Sequence, residues 1–301
     1  MTASEDQMRI GVDLGGTKIE AIALSHNGQE RARKRITSPR NSYETTIATL
    51  ASLVDEVEHL AGAKHGSASV GVGMPGSPSP ATGLVRNANS TWLNDRPFAR
   101  DLEVALNRPL RVANDANCFA VSEAKDGAGA GAPVVFGVIL GTGVGGGVVV
   151  NGKLLNGVNG IAGEWGHNPL PHTSRPDEPR ACWCGRRDCT ETYLSGPALA
   201  RDLGEEGVTA RDIATRSDKA AIAALDRYIA RLGRALATVV NVLDPDVIVL
   251  GGGISNIERL YRDAPDAMRA HVFSDVVTTR IVQNCHGDSS GVRGAAWLWQ
   301  G

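Results

Sequence analysis

Residues 9–24 read RIGVDLGGTKIEAIAL, and this stretch decides the fold. Branched apolar residues flank Gly15-Gly16-Thr17-Lys18, which predicts strands at 9–14 and 19–24 joined by a glycine turn. Residues 134–150, VVFGVILGTGVGGGVVV, repeat this pattern, with glycines between two apolar segments and an Asn-Gly turn directly afterwards. Two glycine-turn hairpins in one chain predict a duplicated α/β unit whose halves grip one polyphosphate from two sides.

The first glycine turn allows two interpretations. It could be a plain hairpin turn. Alternatively, its N–H groups and the Thr17 hydroxyl face phosphate oxygens, and Asp13 lies near a Mg²⁺ ion or its water. The order of residues differs from a Walker A loop. On these residues alone both interpretations stay open.

The second glycine stretch contains G-x-G-x-x-G, which also occurs in dinucleotide-binding folds and in protein kinases. A dinucleotide-binding fold needs a helix after the glycines, but valines and an Asn-Gly turn follow here. Protein kinases need H-R-D and D-F-G motifs further along, and neither is present. The stretch is therefore predicted to be a second strand–turn–strand unit.

The composition is that of an ordinary globular protein. The chain has 301 residues, 42% hydrophobic and 21% charged, which suits one large or two medium domains. The formal net charge of −2 gives no electrostatic reason to expect nucleic acid or a membrane surface as a partner. We see no apolar run long enough to span a membrane and no export signal, so we expect a cytoplasmic protein.

Residues 163–191, GEWGHNPLPHTSRPDEPRACWCGRRDCTE, predict a zinc-pinned loop. Three cysteines lie within eight positions, and a histidine would complete a closed tetrahedral site. Either His167 or His172 could be that histidine, and a disulfide is the competing interpretation. The stretch also carries Glu164 and Glu191, which could hold a polar substrate.

Further candidates lie at the ends of predicted strands. Asp115 falls between a strand at 110–113 and a helix at 116–125, where it could cap the helix or accept a proton from a substrate hydroxyl. The polar stretch 85–92 offers amides and hydroxyls that suit sugar hydroxyls, or it is a solvated loop. Residues 247–250 form an apolar strand followed by glycines, an arrangement typical of a ligand-binding edge.

Helical periodicity is clearest in two places. Residues 42–60 repeat apolar positions every three or four residues. Asp218 is predicted to cap a long helix reaching about residue 241, with Ile222 among its core residues. A closing helix is predicted at 291–298.

Taken together, these motifs resemble the ROK family of bacterial sugar kinases and sugar-responsive repressors. The motifs that carry the resemblance are DLGGTK at 13–18, NDAN at 114–117, GTGVGGG at 141–147, GEWGH at 163–167, CWCGRRDCTE at 182–191 and VLGGG at 249–253. Within that family, GMPGSPSPATG, NANSTWLN and HGDSSGVRGAAWLW look most similar to the fructokinases, especially manno(fructo)kinase.

The resemblance implies an α/β protein with the actin-like ATPase fold, built from duplicated ribonuclease-H-like halves around an inter-domain cleft. It implies a small N-terminal domain over residues 1–114, with a closing helix at 288–301 packed back on it. A larger domain over 115–287 would carry the zinc loop 163–191.

The resemblance also implies roles for particular residues. Asp115 would be the catalytic base, and a structural Zn²⁺ would bind His167, Cys182, Cys184 and Cys189, which favours His167 over His172. The implied sugar-binding residues are Gly76, Asn89, Asn114, Asp115, Glu164, His167 and Glu191. The implied ATP-binding residues are Asp13, Gly15, Gly16, Thr17, Lys18, Gly141, Thr142, Gly143, Gly145, Gly146, Gly251, Gly252 and Gly253. Asp188 stands where the family usually has glycine, and the His-to-Cys loop is short.

The expected activity is Mg²⁺-dependent transfer of the ATP γ-phosphoryl group to the 6-hydroxyl of fructose, with mannose as a second substrate. Glucokinase or N-acetylglucosamine kinase activity is the alternative. A repressor of the same family would need a DNA-binding segment before the first strand, and a non-catalytic sugar sensor is a third possibility. The resemblance further suggests a homodimer.

Overall fold

Two five-stranded sheets form the framework of a computed structural model that describes residues 7–40, 42–171, 179–205 and 207–299. His172, one of the two candidate zinc ligands, lies outside these ranges. The strands, in chain order, are β1 Arg9–Leu14, β2 Lys18–Leu24, β3 Glu30–Thr37, β4 Ser69–Met74, β5 Ser77–Pro78, β6 Val85–Arg86, β7 Leu110–Asn114, β8 Val134–Leu140, β9 Val144–Val150, β10 Lys153–Leu154, β11 Val247–Gly251 and β12 Arg280–Gln283.

The two sheets have the same topology. The first has the order β3-β2-β1-β4-β7 and the second β10-β9-β8-β11-β12. In each, the two strands of a glycine-turn hairpin pair antiparallel, and the second strand also pairs antiparallel with an edge strand. The first strand pairs parallel with a later strand, and that strand pairs parallel with the next one. The duplicated α/β framework predicted from the two hairpins is therefore confirmed. Strand β3 was not predicted.

Helices connect and cover the sheets. They are α1 Tyr43–Leu60, α2 Phe98–Leu106, α3 Asp115–Asp126, α4 Glu191–Leu194, α5 Gly196–Leu203, α6 Ala210–Thr215, α7 Lys219–Leu243, α8 Arg259–Arg269 and α9 Ser290–Ala296. Asp218 caps α7 as predicted, accepting from the backbone N–H groups of Ala220 and Ala221. Ile222 was wrongly placed in the core, since it is 42% exposed. No helix in the described ranges is both long and apolar enough to cross a membrane.

Each sheet has its own hydrophobic core. The first sheet packs on α1 and α2, and the second packs on α7 and α8. Helices α3 and α9 lie between the sheets and contact each other at Gly294, where an added Cβ would collide with the backbone of Cys118. Gly11 and Gly71 of the first sheet are equally close to the backbone of α9. The C-terminal helix therefore packs on the first sheet, although the domain boundary near residue 114 stays a prediction.

Candidate active site

A cavity of about 620 Å³ lies where the ends of β1, β7, β8 and β11 meet. The segments after β1, β3 and β4 form one wall, whereas α3, β8, the turn after β11 and the start of α9 form the other. The lining residues are Asp13, Leu14, Gly15, Gly16, Arg40, Pro75, Asn89, Ser90, Trp92, Asp115, Phe119, Ile139, Gly252, Gly287, Asp288, Ser290 and Gly291.

The first glycine turn lies at this cavity. The N–H of Gly15 donates to the carbonyl of Lys18 at 3.0 Å, which closes the turn. A Cβ on Gly15 would come within 2.7 Å of that same carbonyl, so glycine is required there. Of the predicted ATP-binding residues in this turn, Gly15 and Gly16 line the cavity, whereas Thr17 and Lys18 do not.

Asp13 lies at the end of β1, opposite Glu20 of β2. Burial, followed by the negative charges of Asp115 and Glu20, raises the pKa of Asp13 to about 6. Its side chain makes no hydrogen bond to the described part of the protein, so its oxygens are available to a cation. Carboxylate oxygen is the ligand that Mg²⁺ prefers, and the residues present therefore fit a magnesium ion beside the glycine turn.

Asp115 is the first residue of α3 and lines the cavity. Asn114 caps the helix, because its side chain accepts from the N–H of Asn117 at 2.7 Å, and Asp115 is not the N-cap. The Asp115 carboxyl accepts from the N–H of Ala116 at 2.8 Å and opens to the cleft. The surrounding protein displaces water from this carboxyl and raises its pKa, whereas backbone hydrogen bonds at the helix start oppose that rise.

Glu164, His167 and Glu191 form a second group, close to Asp115. Burial and the charges of Asp115 and Glu191 raise the pKa of Glu164, and the charge of His167 opposes them. Glu191 accepts from the N–H of Val144 at 2.9 Å and from the indole N–H of Trp183 at 2.6 Å. The fold thus brings the three predicted sugar-binding residues together, although they do not line the 620 Å³ cavity.

The four predicted zinc ligands come together as well. His167, Cys182, Cys184 and Cys189 each offer one atom to a cluster in which all four atoms lie within 4.8 Å of one another. The Nδ1 of His167 lies 3.7 Å from the Sγ of Cys182, and the sulfurs of Cys184 and Cys189 are 3.6 Å apart. Ligands about 2.3 Å from a tetrahedral zinc lie about 3.7 Å from one another, so the donor set fits zinc.

Asp188 shows how the cluster accommodates its departure from the family pattern. Its φ of 57° is in the left-handed region, where glycine is most easily placed and aspartate is tolerated. Its carboxylate accepts from the N–H of Arg180 at 2.8 Å and from the Tyr193 hydroxyl at 2.6 Å. These hydrogen bonds help to offset the conformational cost and hold the last cysteine in place.

Most glycines of the second turn pack against protein rather than line the cavity. A Cβ on Gly143 would be 2.6 Å from the Glu191 carboxylate, and one on Gly146 would be 2.8 Å from Trp165. The carbonyl of Gly141 accepts from the N–H of Gly196 at 2.7 Å. Of the predicted ATP-binding residues beyond the first turn, only Gly252 is among those lining the cavity in the described structure.

Of the remaining predicted site residues, some line the cavity and others do not. Asn89 lines the cavity, whereas Gly76 has a φ of 72° and packs against the backbone of Arg86 and Ala88. Thr142, Gly145, Gly251 and Gly253 are also absent from the cavity lining, as is Asn114, which caps α3.

Sequence reasoning missed several residues that line the cavity, among them Arg40, Trp92 and Asp288. Asp288 falls in the HGDSSG segment, which had supported the family resemblance without a role. Trp92 lies in the polar stretch 85–92 and in NANSTWLN but had no assigned role, and Arg40 lies in a segment without a chemical motif.

The matching sheet topologies and the cavity between them define a protein of the actin-like ATPase fold. The sequence profile of the ROK family matches residues 9–301, and the chain belongs to that family. It is 40% identical over 304 residues to an N-acetyl-D-glucosamine kinase of Pasteurella multocida, covering 97% of this chain and 99% of the relative. An enzyme of the same name from Yersinia pseudotuberculosis is 39% identical over 302 residues, covering 97% of this chain and 98% of the relative.

Solved structures support the same family. A ROK hexokinase from Thermus thermophilus superposes with a TM-score of 0.86 at 30% identity, covering 97% of each chain. A ROK glucokinase from Streptomyces griseus, solved with glucose and AMPPNP, gives a TM-score of 0.78 at 26% identity, covering 97% of this chain and 98% of that one. A ROK transcriptional regulator gives a TM-score of 0.83 at 22% identity, which shows a shared fold alone; it covers 97% of this chain and 78% of the regulator.

The expected subgroup was wrong. The full-length relatives near 40% identity are N-acetyl-D-glucosamine kinases, not fructokinases, so the similarity of GMPGSPSPATG, NANSTWLN and HGDSSGVRGAAWLW does not indicate fructose as the substrate.

Proposed function

We propose that this protein transfers the γ-phosphoryl group of ATP to the 6-hydroxyl of N-acetyl-D-glucosamine. The observation that carries the proposal is one cavity in which the Asp115 carboxyl faces the same space as Asp13 and the Gly15-Gly16 turn. A proton acceptor and a phosphate-binding turn are the two parts that phosphoryl transfer to an alcohol needs. The choice of sugar rests on the relatives at 38–40% identity that carry this activity in their names.

Asp115 is the general base in this proposal. As the sugar hydroxyl attacks the γ-phosphorus, its proton passes to the Asp115 carboxylate. The N-terminus of α3 favours the negative charge that this role requires. Burial raises the pKa of this carboxyl, which makes the carboxylate a stronger base.

The phosphate side is supplied by the first glycine turn. Its backbone N–H groups are the natural partners of phosphate oxygens, and Asp13 would hold Mg²⁺, which neutralises phosphate charge when bound. The predicted roles of Thr17, Lys18 and the second glycine turn stay predictions, since these residues do not line the cavity.

The zinc cluster is structural in this proposal. With four protein ligands the site would have no open position for a substrate. The cluster instead fixes Trp183, whose indole N–H holds Glu191. It thereby orders Glu164, His167 and Glu191 for the hydroxyls of the sugar.

A panel of sugars in a coupled ADP-release assay tests the activity. We expect the highest kcat/KM for N-acetyl-D-glucosamine, with lower values for glucose, mannose, N-acetylmannosamine and fructose. A higher kcat/KM for another sugar would overturn the substrate assignment, and the absence of ADP release with every sugar would overturn the kinase assignment.

The Asp115→Asn variant tests the mechanism. We expect kcat to fall by at least about 100-fold with sugar binding retained, because the amide keeps the shape but cannot accept the proton. Turnover close to the wild-type value would remove Asp115 from the base role.

The homodimer and the cytoplasmic location stay predictions. Light scattering during gel filtration would measure the oligomeric state.

A further inference from the structure

Arg40 is a cation at the cavity that no motif explains. Among the lining residues of the described structure it is the sole lysine or arginine, and it shares the lining with the acids Asp13, Asp115 and Asp288. Its side chain is exposed to the cleft and has no hydrogen-bond or ion-pair partner in the described part of the chain. A permanently charged guanidinium is therefore available to an anion in the cavity.

The backbone holds Arg40 beside the phosphate-binding turn. Thr37, the last residue of β3, pairs with Lys18 of that turn. The N–H of Ser38 then donates to the carbonyl of Thr17 at 3.0 Å, and Ser38 is only 4% exposed. Arg40 follows two residues later and reaches the cavity next to Gly15 and Gly16. Its position is thus tied to the turn by the sheet and one further hydrogen bond.

Two other arginines nearby form ion pairs within the first sheet. Arg33 and Arg35, on the same strand β3, both bond the buried carboxylate of Glu20, with the Nη2 of Arg35 at 2.6 Å from it. That pairing commits their charges to the packing of the first sheet. Arg40 lies beyond the end of the strand and out of this network, and no ion pair with a described residue commits its charge.

We propose that Arg40 binds the phosphoryl group during its transfer, an inference that rests on the proposed kinase function. In the reaction the bond between the γ-phosphorus and its bridging oxygen to the β-phosphate breaks. A bond forms between the phosphorus and the sugar 6-oxygen, and the hydroxyl proton moves to Asp115. Arg40 donates N–H groups to the oxygens of the moving phosphoryl group and exchanges no proton or electron with it.

The physical reason for such a group is charge. The transferring phosphoryl carries negative charge on three oxygens, while three carboxyl groups line the same cavity. A guanidinium presents N–H groups in a planar fork that matches two phosphate oxygens at once, which an ammonium cannot do. Arg40 thus contacts the reacting atoms and is a further catalytic residue in this proposal.

The test compares Arg40→Gln and Arg40→Lys with Arg31→Gln, a change at an exposed arginine on β3 away from the cavity. We expect Arg40→Gln to lower kcat by at least about 100-fold, Arg40→Lys to restore part of it, and Arg31→Gln to keep the wild-type rate. A kcat within about threefold of wild type in Arg40→Gln would overturn the proposal.

Binding measurements distinguish a contact of Arg40 with the transferred phosphoryl group from a contact with the rest of the nucleotide or with the sugar. In calorimetry, Arg40→Gln should lower the affinity for AMPPNP, which carries a γ-phosphate, by about tenfold. The affinities for ADP and for the sugar should be unchanged. Equal weakening of AMPPNP and ADP, or loss of sugar affinity alone, would overturn the assignment to the transferred group. This comparison needs no turnover, so it stands even if the wild-type protein phosphorylates no sugar tested. If Arg40→Gln unfolds at a lower temperature than the wild-type protein, the affinities for AMPPNP and ADP are compared in Arg40→Lys instead.

Discussion

Replacing Cys184 by serine should weaken metal binding at the cluster and, through it, sugar binding. Cys184 contributes one of the four donor atoms that lie within 4.8 Å of one another, so its loss leaves three ligands and weakens the metal site. Trp183 lies between two of the cysteines in sequence, and its indole N–H holds the Glu191 carboxylate at 2.6 Å. Loosening the cluster therefore frees the carboxylate that we assign to the sugar.

The size of the effect follows from that hydrogen bond. A hydrogen bond to a charged group contributes about 1.5–3 kcal/mol, which corresponds to about a 10- to 150-fold loss of sugar affinity if Glu191 is no longer held. The second bond to Glu191, from the N–H of Val144 at 2.9 Å, belongs to the sheet and should survive. We therefore expect the lower part of that range.

Metal analysis and calorimetry check this prediction together. The wild-type protein should contain about one zinc per chain, Cys184→Ser less, and the variant should bind N-acetyl-D-glucosamine at least about tenfold more weakly. Cys285→Ser is the matched control, because Cys285 is an exposed cysteine outside the cluster. Wild-type protein without zinc, or unchanged sugar affinity in Cys184→Ser, would refute the reasoning.

Three further predictions concern pH, packing and stability. Because the folded pKa of Asp13, about 6, lies above its ordinary value of 3.8, the ligand-free protein loses stability as pH rises from about 4 to 6. Asp13→Asn should then raise the free energy of unfolding in urea by up to about 3 kcal/mol at pH 7, with the gain disappearing as pH falls towards 4. Gly143→Ala places a methyl group 2.6 Å from the Glu191 carboxylate and should raise the KM for the sugar with little change in the melting temperature, measured by kinetics and calorimetry. Asp218→Ala removes the cap of α7 and should cost about 1 kcal/mol in urea denaturation with kcat unchanged.

Local patterns that agree with the tertiary fold were predictable. The hairpin at residues 9–24 and its repeat at 134–150 combine apolar strands with glycine turns, and both formed as expected. The helix over α1 and the Asp218 cap of α7 also follow from signals a few residues apart. Such features depend on neighbours in sequence, so sequence alone defines them.

Features that depend on distant partners were missed. Strand β3 reads ERARKRIT, and this charged sequence lacks the apolar pattern that predicts a strand. The strand is stabilised by the ion pairs of Arg33 and Arg35 with Glu20 of β2. Ile222 fits the apolar stripe of α7 but lies near its start, where it remains exposed. In both cases the sheet or the packing against it, rather than local periodicity, decided the outcome.

The choice of sugar was the largest error. Motifs such as DLGGTK and the cysteine cluster predict a nucleotide-binding turn and a metal site. They do not specify which group stands on the second carbon of a hexose. That choice depends on a few side chains brought together from separate loops.

The sequence by itself determined the duplicated hairpins, because each is encoded in residues close together along the chain. It also predicted Cys182, Cys184 and Cys189 as metal ligands, with His167 or His172, and Asp115 as a candidate base, and these roles stay predictions. Only the tertiary structure placed Asp13 and Asp115 on one cavity and brought Arg40 to it, without an ion-pair partner among the described residues. The physical reason is that a cavity is formed by strand ends far apart in sequence. Their order in the sheets and the packing of α3 against α9 decide which side chains meet there.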